Sequence, residues 1–349
     1  MKYKEPFFIV SKKEIKRRIW DLKRRSDIVF YSHKTNPFIG KLITKMNDGI
    51  GLCLNHINSL RDLDEDTLKK SLYYVHSESK EEIEKILDKG IKKFIVDNEN
   101  DLKKVISVGD VEDIYIRVKY REHTFYTGKY FVYGISWKKI EDIIKRYDLS
   151  NKYNLGLHFH KRTQNIGEWY IFEDFFDMFS ENFLKKYDIR YVNIGGGIPW
   201  KYINSKPDLK YIFYNIDIFR KKLNDLNIKL VMEPGRYIAA PSVRLKVKVI
   251  NKYEKTLVVN ASIYNAYMDT YLLHHRLPIL EESQNGKYCY TIKGNTLDSL
   301  DIFRYSACFE NDIEIGDTLT FLNVGAYNFH CNFSFLSPIP YVIVDDFED

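Results

Sequence analysis

No stretch of this 349-residue chain is apolar for long enough to span a bilayer, and Met1-Lys2-Tyr3-Lys4 carries no signal-peptide core. A membrane protein is not expected, and the expected compartment is the cytoplasm. Cysteine is scarce: Cys53, Cys289, Cys308 and Cys331 are widely scattered, with neither the paired spacing of a zinc site nor a disulfide framework. They are expected to be reduced and mostly buried as small apolar residues. Charge of one sign is also in short supply, since the net charge of +6 is mild for this length. The basic run from Lys12-Lys13 to Arg24-Arg25 lacks interleaved aromatics or a recognisable module, so nucleic acid is not an expected partner. A weak positive field suits an anionic substrate better. Internal repeats and low-complexity segments are absent too. The acidic ending at Asp345-Asp346-Phe347-Glu348-Asp349 suits a trimmed domain edge.

What is present reads as a soluble globule, 44% hydrophobic and 29% charged, long enough for one large α/β barrel and a smaller domain. Residues 28–33, 50–54, 72–76, 94–96, 114–118, 155–159, 191–194 and 230–233 are short apolar β-type runs. Between several of them lie amphipathic stretches at 81–89 (stopped by Gly90), 137–147, 172–187 and 209–223. Repeated β–α units with apolar, parallel strands predict a (β/α)₈ barrel over residues 11–237. After Arg236 the pattern turns to strands at 243–251, 256–260, 318–322 and 341–344. Residues 238–349 therefore predict an all-β, sandwich- or barrel-like domain, completed by the strand at 7–10 within residues 1–10.

Lys34 is the most informative residue. It lies in Phe30-Tyr31-Ser32-His33-Lys34-Thr35-Asn36-Pro37, just past the first barrel strand, where barrel enzymes keep their chemistry. An amine there can form a Schiff base with an aldehyde cofactor. Gly195, Gly196 and Gly197 follow the seventh strand and let backbone N–H groups approach a phosphate, although a triple glycine also makes a tight turn. Glu233 ends the eighth strand, placed either to keep a pyridine nitrogen protonated or to pair with Arg236 at the rim; Arg236 is alternatively a direct phosphate contact. In Leu157-His158-Phe159-His160 the two histidines face one side, which suits ring stacking by His160. The same spacing suits a metal, but no third ligand lies close in sequence, and no metal is expected. Thr163 and Gln164 are suitable donors to cofactor or substrate oxygens. Together these residues point to pyridoxal 5'-phosphate.

On those motifs the chain resembles the fold-type III pyridoxal-phosphate decarboxylases, the ornithine/diaminopimelate/arginine decarboxylase family. The resemblance runs from Pro6-Phe7-Phe8-Ile9-Val10 through the Lys34, His160, Gly195-Gly196-Gly197 and Glu233-Pro234-Gly235-Arg236 motifs. It ends in Asp298-Ser299-Leu300-Asp301 and Gly325-Ala326-Tyr327. It implies that Lys34 carries the cofactor, that His160 stacks on its ring and that Glu233 faces the ring nitrogen. It gives the phosphate to Thr163, the three glycines, Arg236 and Tyr327, and counts Gly235 among the cofactor-binding residues. It also implies a head-to-tail homodimer with shared active sites, in which Asp298 and its loop, including Asp301, reach the partner's substrate. Lys34, His160 and Asp298 are then the expected catalytic residues.

Departures from the family bear on substrate. Leu297 stands where the family usually has a cysteine that protonates the carbanion, so water or the released Lys34 is expected to take that role. Asn58 lies near the place of a usual glutamate after the second strand. Where diamine enzymes keep a substrate-binding carboxylate, this chain has Leu272-Leu273-His274-His275-Arg276. That argues against ornithine or lysine, whose distal ammonium would lack a counter-charge. His274, His275 and Arg276 suit an anionic group instead, for example an aminocarboxypropyl conjugate on an anionic peptide-nucleotide, as in microcin C-type antibiotic maturation. The leading expectation is an α-decarboxylase acting on a small molecule or conjugate. An amino-acid racemase or epimerase, and a catalytically silent homologue that binds a partner, are the alternatives.

Overall fold

A computed structural model describes residues 4–120, 132–167, 169–329 and 335–347. Cys331, Glu348 and Asp349 lie outside the described residues. The chain falls into two compact units: Ile19–Pro199 with Asp208–Gly235, and Met1–Arg18 with Trp200–Pro207 and Arg236–Asp349.

The strands, in chain order, are β1 (Phe7–Ser11), β2 (Ile28–Ser32), β3 (Gly51–Leu54), β4 (Leu72–Val75), β5 (Lys93–Val96), β6 (Asp113–Arg117), β7 (Asn154–His158), β8 (Ile189–Asn193), β9 (Lys229–Met232), β10 (Val243–Tyr253), β11 (Thr256–Val259), β12 (Tyr288–Lys293), β13 (Ile302–Phe309), β14 (Thr318–Phe321) and β15 (Tyr341–Val344). In the first unit named, β2 to β9 form a closed barrel, each strand parallel to the next. Pairing of Ile28 with Val231 and Val29 with Met232 closes the ring. The eight expected runs are these eight strands. They could be read because parallel barrel strands are covered on both faces and so are apolar almost throughout; every residue of β3 and of β6 is buried. Inside, Phe30, Cys53, Leu72, Ile95, Tyr115 and Val231 form the core. Gly156 makes room for it: a Cβ there would come within 2.6 Å of the Tyr115 ring.

Local chemistry sets the helix boundaries. Ser79 and Glu82 form a reciprocal capping box at the start of Lys80–Asp88, and Gly90 just beyond has φ +95. The single helix expected over 172–187 is two, Ile171–Met178 and Glu181–Lys186. Phe179 is extended, and Ser180 caps the second helix by accepting from the Phe183 N–H at 3.2 Å. A capping serine with a following glutamate outweighs the apolar periodicity that runs through it.

The other unit is mostly sheet, with short helices such as Ile263–Ala266 and Met268–Leu272. Its strands form one connected seven-stranded sheet in the order β13-β12-β11-β10-β1-β15, with β14 also pairing β10. The expected N-terminal strand is β1, antiparallel to β10 and parallel to β15. Strands β12 and β13 were not legible, because register shifts interrupt their pairing and break the two-residue alternation. Their antiparallel register sets Cys289 opposite Cys308, and the two are joined by a disulfide. This corrects the expectation of reduced cysteines: the partners are 19 residues apart in sequence and become neighbours only through the pairing of β12 with β13. Among the described residues Cys53 is the free cysteine, and it is buried as expected.

Candidate active site

The barrel unit contains a cavity of about 330 Å³ whose lining includes Lys34, Cys53, Arg117, His158, His160 and Glu233. Strand β2 ends at Ser32, whose N–H donates to the Pro234 carbonyl at 3.1 Å. A 3₁₀ turn, His33–Thr35, then turns Lys34 into this cavity. Asn36 closes the turn by capping helix Pro37–Met46, accepting from the Ile39 N–H at 3.2 Å. An Asn-Pro pair thus fixes where the strand stops and where the amine stands.

Glu233 lies just past β9 and is buried. Asn193 Nδ2 donates to its Oε1 at 2.5 Å, Cys53 Sγ–H to its Oε2 at 3.4 Å, and His158 Nε2 lies 3.5 Å from Oε1. Burial alone would raise the carboxyl, but His158, His160 and the Asn193 amide together bring it down to about 2. The carboxylate is therefore ionised across the physiological range. Fully buried Asn193 also accepts from the Gly195 N–H at 2.8 Å, so one side chain ties the glycine loop to Glu233.

The glycine loop grips His160. The Gly196 N–H donates to His160 Nδ1 at 3.1 Å, which leaves the ring's proton on Nε2. Burial, reinforced by Lys34 and Arg117, pushes this imidazole down to about 3, so it is neutral at pH 7. A Cβ on Gly195 would meet His160 Nδ1 at 2.6 Å, one on Gly196 the Glu233 carbonyl at 2.7 Å, and one on Gly197 the Lys161 carbonyl at 2.8 Å. With φ +63 at Gly195 and +88 at Gly197, the loop needs glycine on two independent grounds. Two of its amides are nevertheless already used, by Asn193 and His160. The expected role of the triple glycine as a row of phosphate donors is corrected to that extent. Thr163 and Gln164 lie in the turn that follows His160, with Gln164 at φ +58.

Sequence reasoning missed several cavity residues. Arg117, at the end of β6, is buried and hydrogen-bonded to the Tyr74 hydroxyl, with Asp97 Oδ1 at 3.3 Å. Cys53 is hidden as the third residue of the fully buried β3, and Asn193, behind the cavity on Glu233, is a lone polar residue at the end of β8, which was the available signal. Asn58 sits in the 3₁₀ turn Ile57–Leu60, with its N–H on His56 Nδ1 at 3.1 Å, and Asn55 lines the cavity instead.

Gly235 ends the barrel unit, where a Cβ would collide with the Thr35 hydroxyl; the other expected residues belong to the sheet unit. Arg236 is buried there in a two-pronged pair with Asp269, at 2.8 and 3.1 Å, and also donates to the Tyr202 hydroxyl at 2.8 Å. Its guanidinium is thus held by a carboxylate and a phenol, partners that the sequence did not announce for it. Tyr327, at φ +60, sets its ring 5.3 Å from that guanidinium. His275 stacks on Tyr202 at 4.5 Å and 6°, and burial, followed by Arg236, lowers its imidazole to about 4. His274 has φ +54, and the Arg276 N–H donates to Asn204 Oδ1 at 2.9 Å. Asp298 is exposed and accepts from the Tyr264 hydroxyl at 2.5 Å. Asp301 is completely buried and accepts from the Ile263 N–H, the Thr296 N–H and the Thr296 hydroxyl. One oxygen thus holds its own loop through Thr296 and the other the start of helix Ile263–Ala266, a structural engagement in place of the expected substrate contact.

Comparison with known proteins agrees with this geometry. The family model for the pyridoxal-binding domain of pyridoxal-dependent decarboxylases matches residues 12–240. A diaminopimelate decarboxylase from Campylobacter jejuni is 24% identical over 352 residues, covering 94% of this chain and 87% of the relative. One from Aquifex aeolicus is 27% identical over 228 residues, covering 58% of this chain and 52% of the relative. Among solved structures, diaminopimelate decarboxylase from Helicobacter pylori complexed with L-lysine superposes with a TM-score of 0.79 at 20% identity, covering 99% of this chain and 93% of that one.

Proposed function

This chain belongs to the pyridoxal-dependent decarboxylases, carboxy-lyases that use pyridoxal 5'-phosphate, and we propose that it removes the α-carboxylate of an amino-acid moiety whose far end carries no free ammonium. The observation that supports the reaction is the convergence of Lys34, neutral His160 and ionised Glu233 on one cavity. The residues fit the cofactor. Lys34 supplies the amine for its aldehyde, His160 a neutral ring for its face, Glu233 a carboxylate for its ring nitrogen, and the loop 195–197 with Thr163 a side for its phosphate. When bound, the cofactor accepts the electron pair released as the bond from Cα to the carboxylate breaks. Glu233, held ionised, keeps a proton on the ring nitrogen and so favours that electron flow. His160, pinned through Nδ1, holds the ring plane without adding positive charge.

The substrate reading rests on charge. From Asn260 to Arg276 the chain has one carboxylate, Asp269, and Arg236 consumes it. A distal ammonium would find no counter-charge in that segment, whereas His274 and Arg276 suit an anionic appendage such as that of an aminocarboxypropyl conjugate. Screening amino acids and conjugates for CO₂ release tests this. Conjugates with an anionic far end should turn over and free ornithine and lysine should not; efficient release from ornithine would overturn the substrate assignment. Deuterium exchange at Cα without CO₂ would overturn decarboxylation itself.

A further inference from the structure

Among the cavity groups for which neither the reaction nor the cofactor contacts have a use is the Cys53 thiol. Strand β3 delivers it, buried, to the level where the apolar barrel core gives way to the polar cavity; it belongs to the core cluster and also lines the cavity beside Lys34. Packing in one cluster with Leu72 and Ile95 would not by itself give the thiol a polar neighbour. Yet Sγ lies 3.4 Å from Glu233 Oε2, within the longer reach of a sulfur hydrogen bond. Oε1 has Asn193 Nδ2 at 2.5 Å on its other side. Cys53 and Asn193, brought by β3 and β8, therefore grip the two carboxylate oxygens separately and fix the rotation of the carboxylate plane.

We propose that Cys53 is a positioning residue for Glu233: its S–H, rather than its bulk, orients the carboxylate toward the cofactor's ring nitrogen. The inference rests on the reading above that Glu233 serves that nitrogen. Donation requires the neutral thiol, and the site provides it: burial, followed by the Glu233 charge, pushes the thiol well above its usual range. The S–H is a weak donor, and that suits the position. A lysine or arginine there would neutralise Glu233 and compete with the cofactor nitrogen, whereas a thiol fixes direction and leaves the carboxylate its charge.

The test is reconstitution of cofactor-free protein with pyridoxal 5'-phosphate. It is followed by absorbance for wild type, Cys53→Val, Cys53→Ser and Glu233→Gln, with thermal melts confirming that each is folded. Cys53→Val, close in shape but without a donor, should weaken cofactor binding by about fivefold, in keeping with loss of a weak bond to a charged acceptor. It should also shift the pH dependence of the bound cofactor's spectrum. Cys53→Ser should restore both to within about twofold of wild type, since a hydroxyl donates as a thiol does. The proposal is overturned if Cys53→Val binds the cofactor as wild type does, or if serine behaves no better than valine, which would leave a packing role. Wild-type affinity and spectrum in Glu233→Gln would sink the underlying reading instead. Should Cys53→Val melt early, cofactor affinity measured well below its melting point still separates donor from bulk, because Cys53→Ser is compared at the same temperature.

Discussion

At the scale of single residues, the loop 195–197 and His160 act together. Gly195→Ala would place a methyl 2.6 Å from the imidazole at a φ that alanine resists, costing roughly 1–3 kcal/mol in strain. The larger effect should be on function, because the ring would be displaced: cofactor affinity, read by spectroscopic titration, should fall more than the melting temperature does. The histidine also makes stability depend on pH. Its folded value of about 3 lies below its usual 6.5, so it stabilises the fold fully above pH 6.5 and loses that contribution as pH falls toward 3. Glu233, at about 2 against a usual 4.5, contributes above pH 4.5 and loses it as pH falls toward 2. Both act in one direction. Acidifying the cofactor-free protein should lower its unfolding free energy, beginning near pH 6.5, by an amount on the order of a few kcal/mol. His160→Phe removes one part of the earlier phase, so the fall in urea midpoints between pH 6.5 and 4.5 should become shallower, the remainder coming from buried His158 and His275, which burial also holds below the usual imidazole range; an unchanged slope would show that His160 does not titrate there. Lys34→Ala should yield folded protein that keeps no imine-type absorbance and no borohydride-fixed label.

At the scale of elements, what could be read in advance follows from how each strand is covered. The barrel strands are apolar on both faces, so their composition alone marked all eight, and Lys34, His160, the glycines and Glu233 could be placed because each sits at a strand end. Inside those same strands Cys53 and Asn193 were invisible, since one polar residue hardly changes an apolar run. Arg236 and Asp301 were legible as residues but not in their partners: Asp269 is 33 positions from Arg236, and Ile263 is 38 from Asp301. In the sheet unit, β12 and β13 escaped because their alternation is broken, and the disulfide escaped with them. That bridge encloses a short hairpin and should contribute up to about 3 kcal/mol through the unfolded chain. Cys308→Ser should lower the melting temperature under non-reducing conditions, while dithiothreitol should lower that of wild type and leave the variant unmoved. Equal response of both to reductant would show that the bridge does not form.

At the scale of the whole molecule, the question is what covers the loop that Asp301 builds. Asp301 is buried and anchors residues 294–301 from within, yet Leu297 and Leu300, on either side of exposed Asp298, are 107% and 52% exposed. Rigid support beneath exposed leucines would favour a subunit contact, because ordering the loop in advance reduces the entropy lost on association. A head-to-tail dimer in which Asp298 serves the partner's cavity satisfies this arrangement, and its symmetry makes a sharp demand. If the chain pairs in this way, Lys34→Ala and Asp298→Asn proteins should each be inactive. If each site draws its lysine from one subunit and its aspartate from the other, mixing and re-equilibrating equal amounts gives half heterodimers, each with one intact site. Activity should then return to roughly a quarter of wild type. If two copies associate through this loop, Leu297→Asp together with Leu300→Asp should lower the sedimentation mass toward that of a single chain and abolish the recovery; a wild type that already sediments as a single chain would overturn the dimer. Mixed samples that stay inactive while exchanging subunits freely would mean that Asp298 works within its own chain, and an active Asp298→Asn variant would mean that it has no part in the reaction.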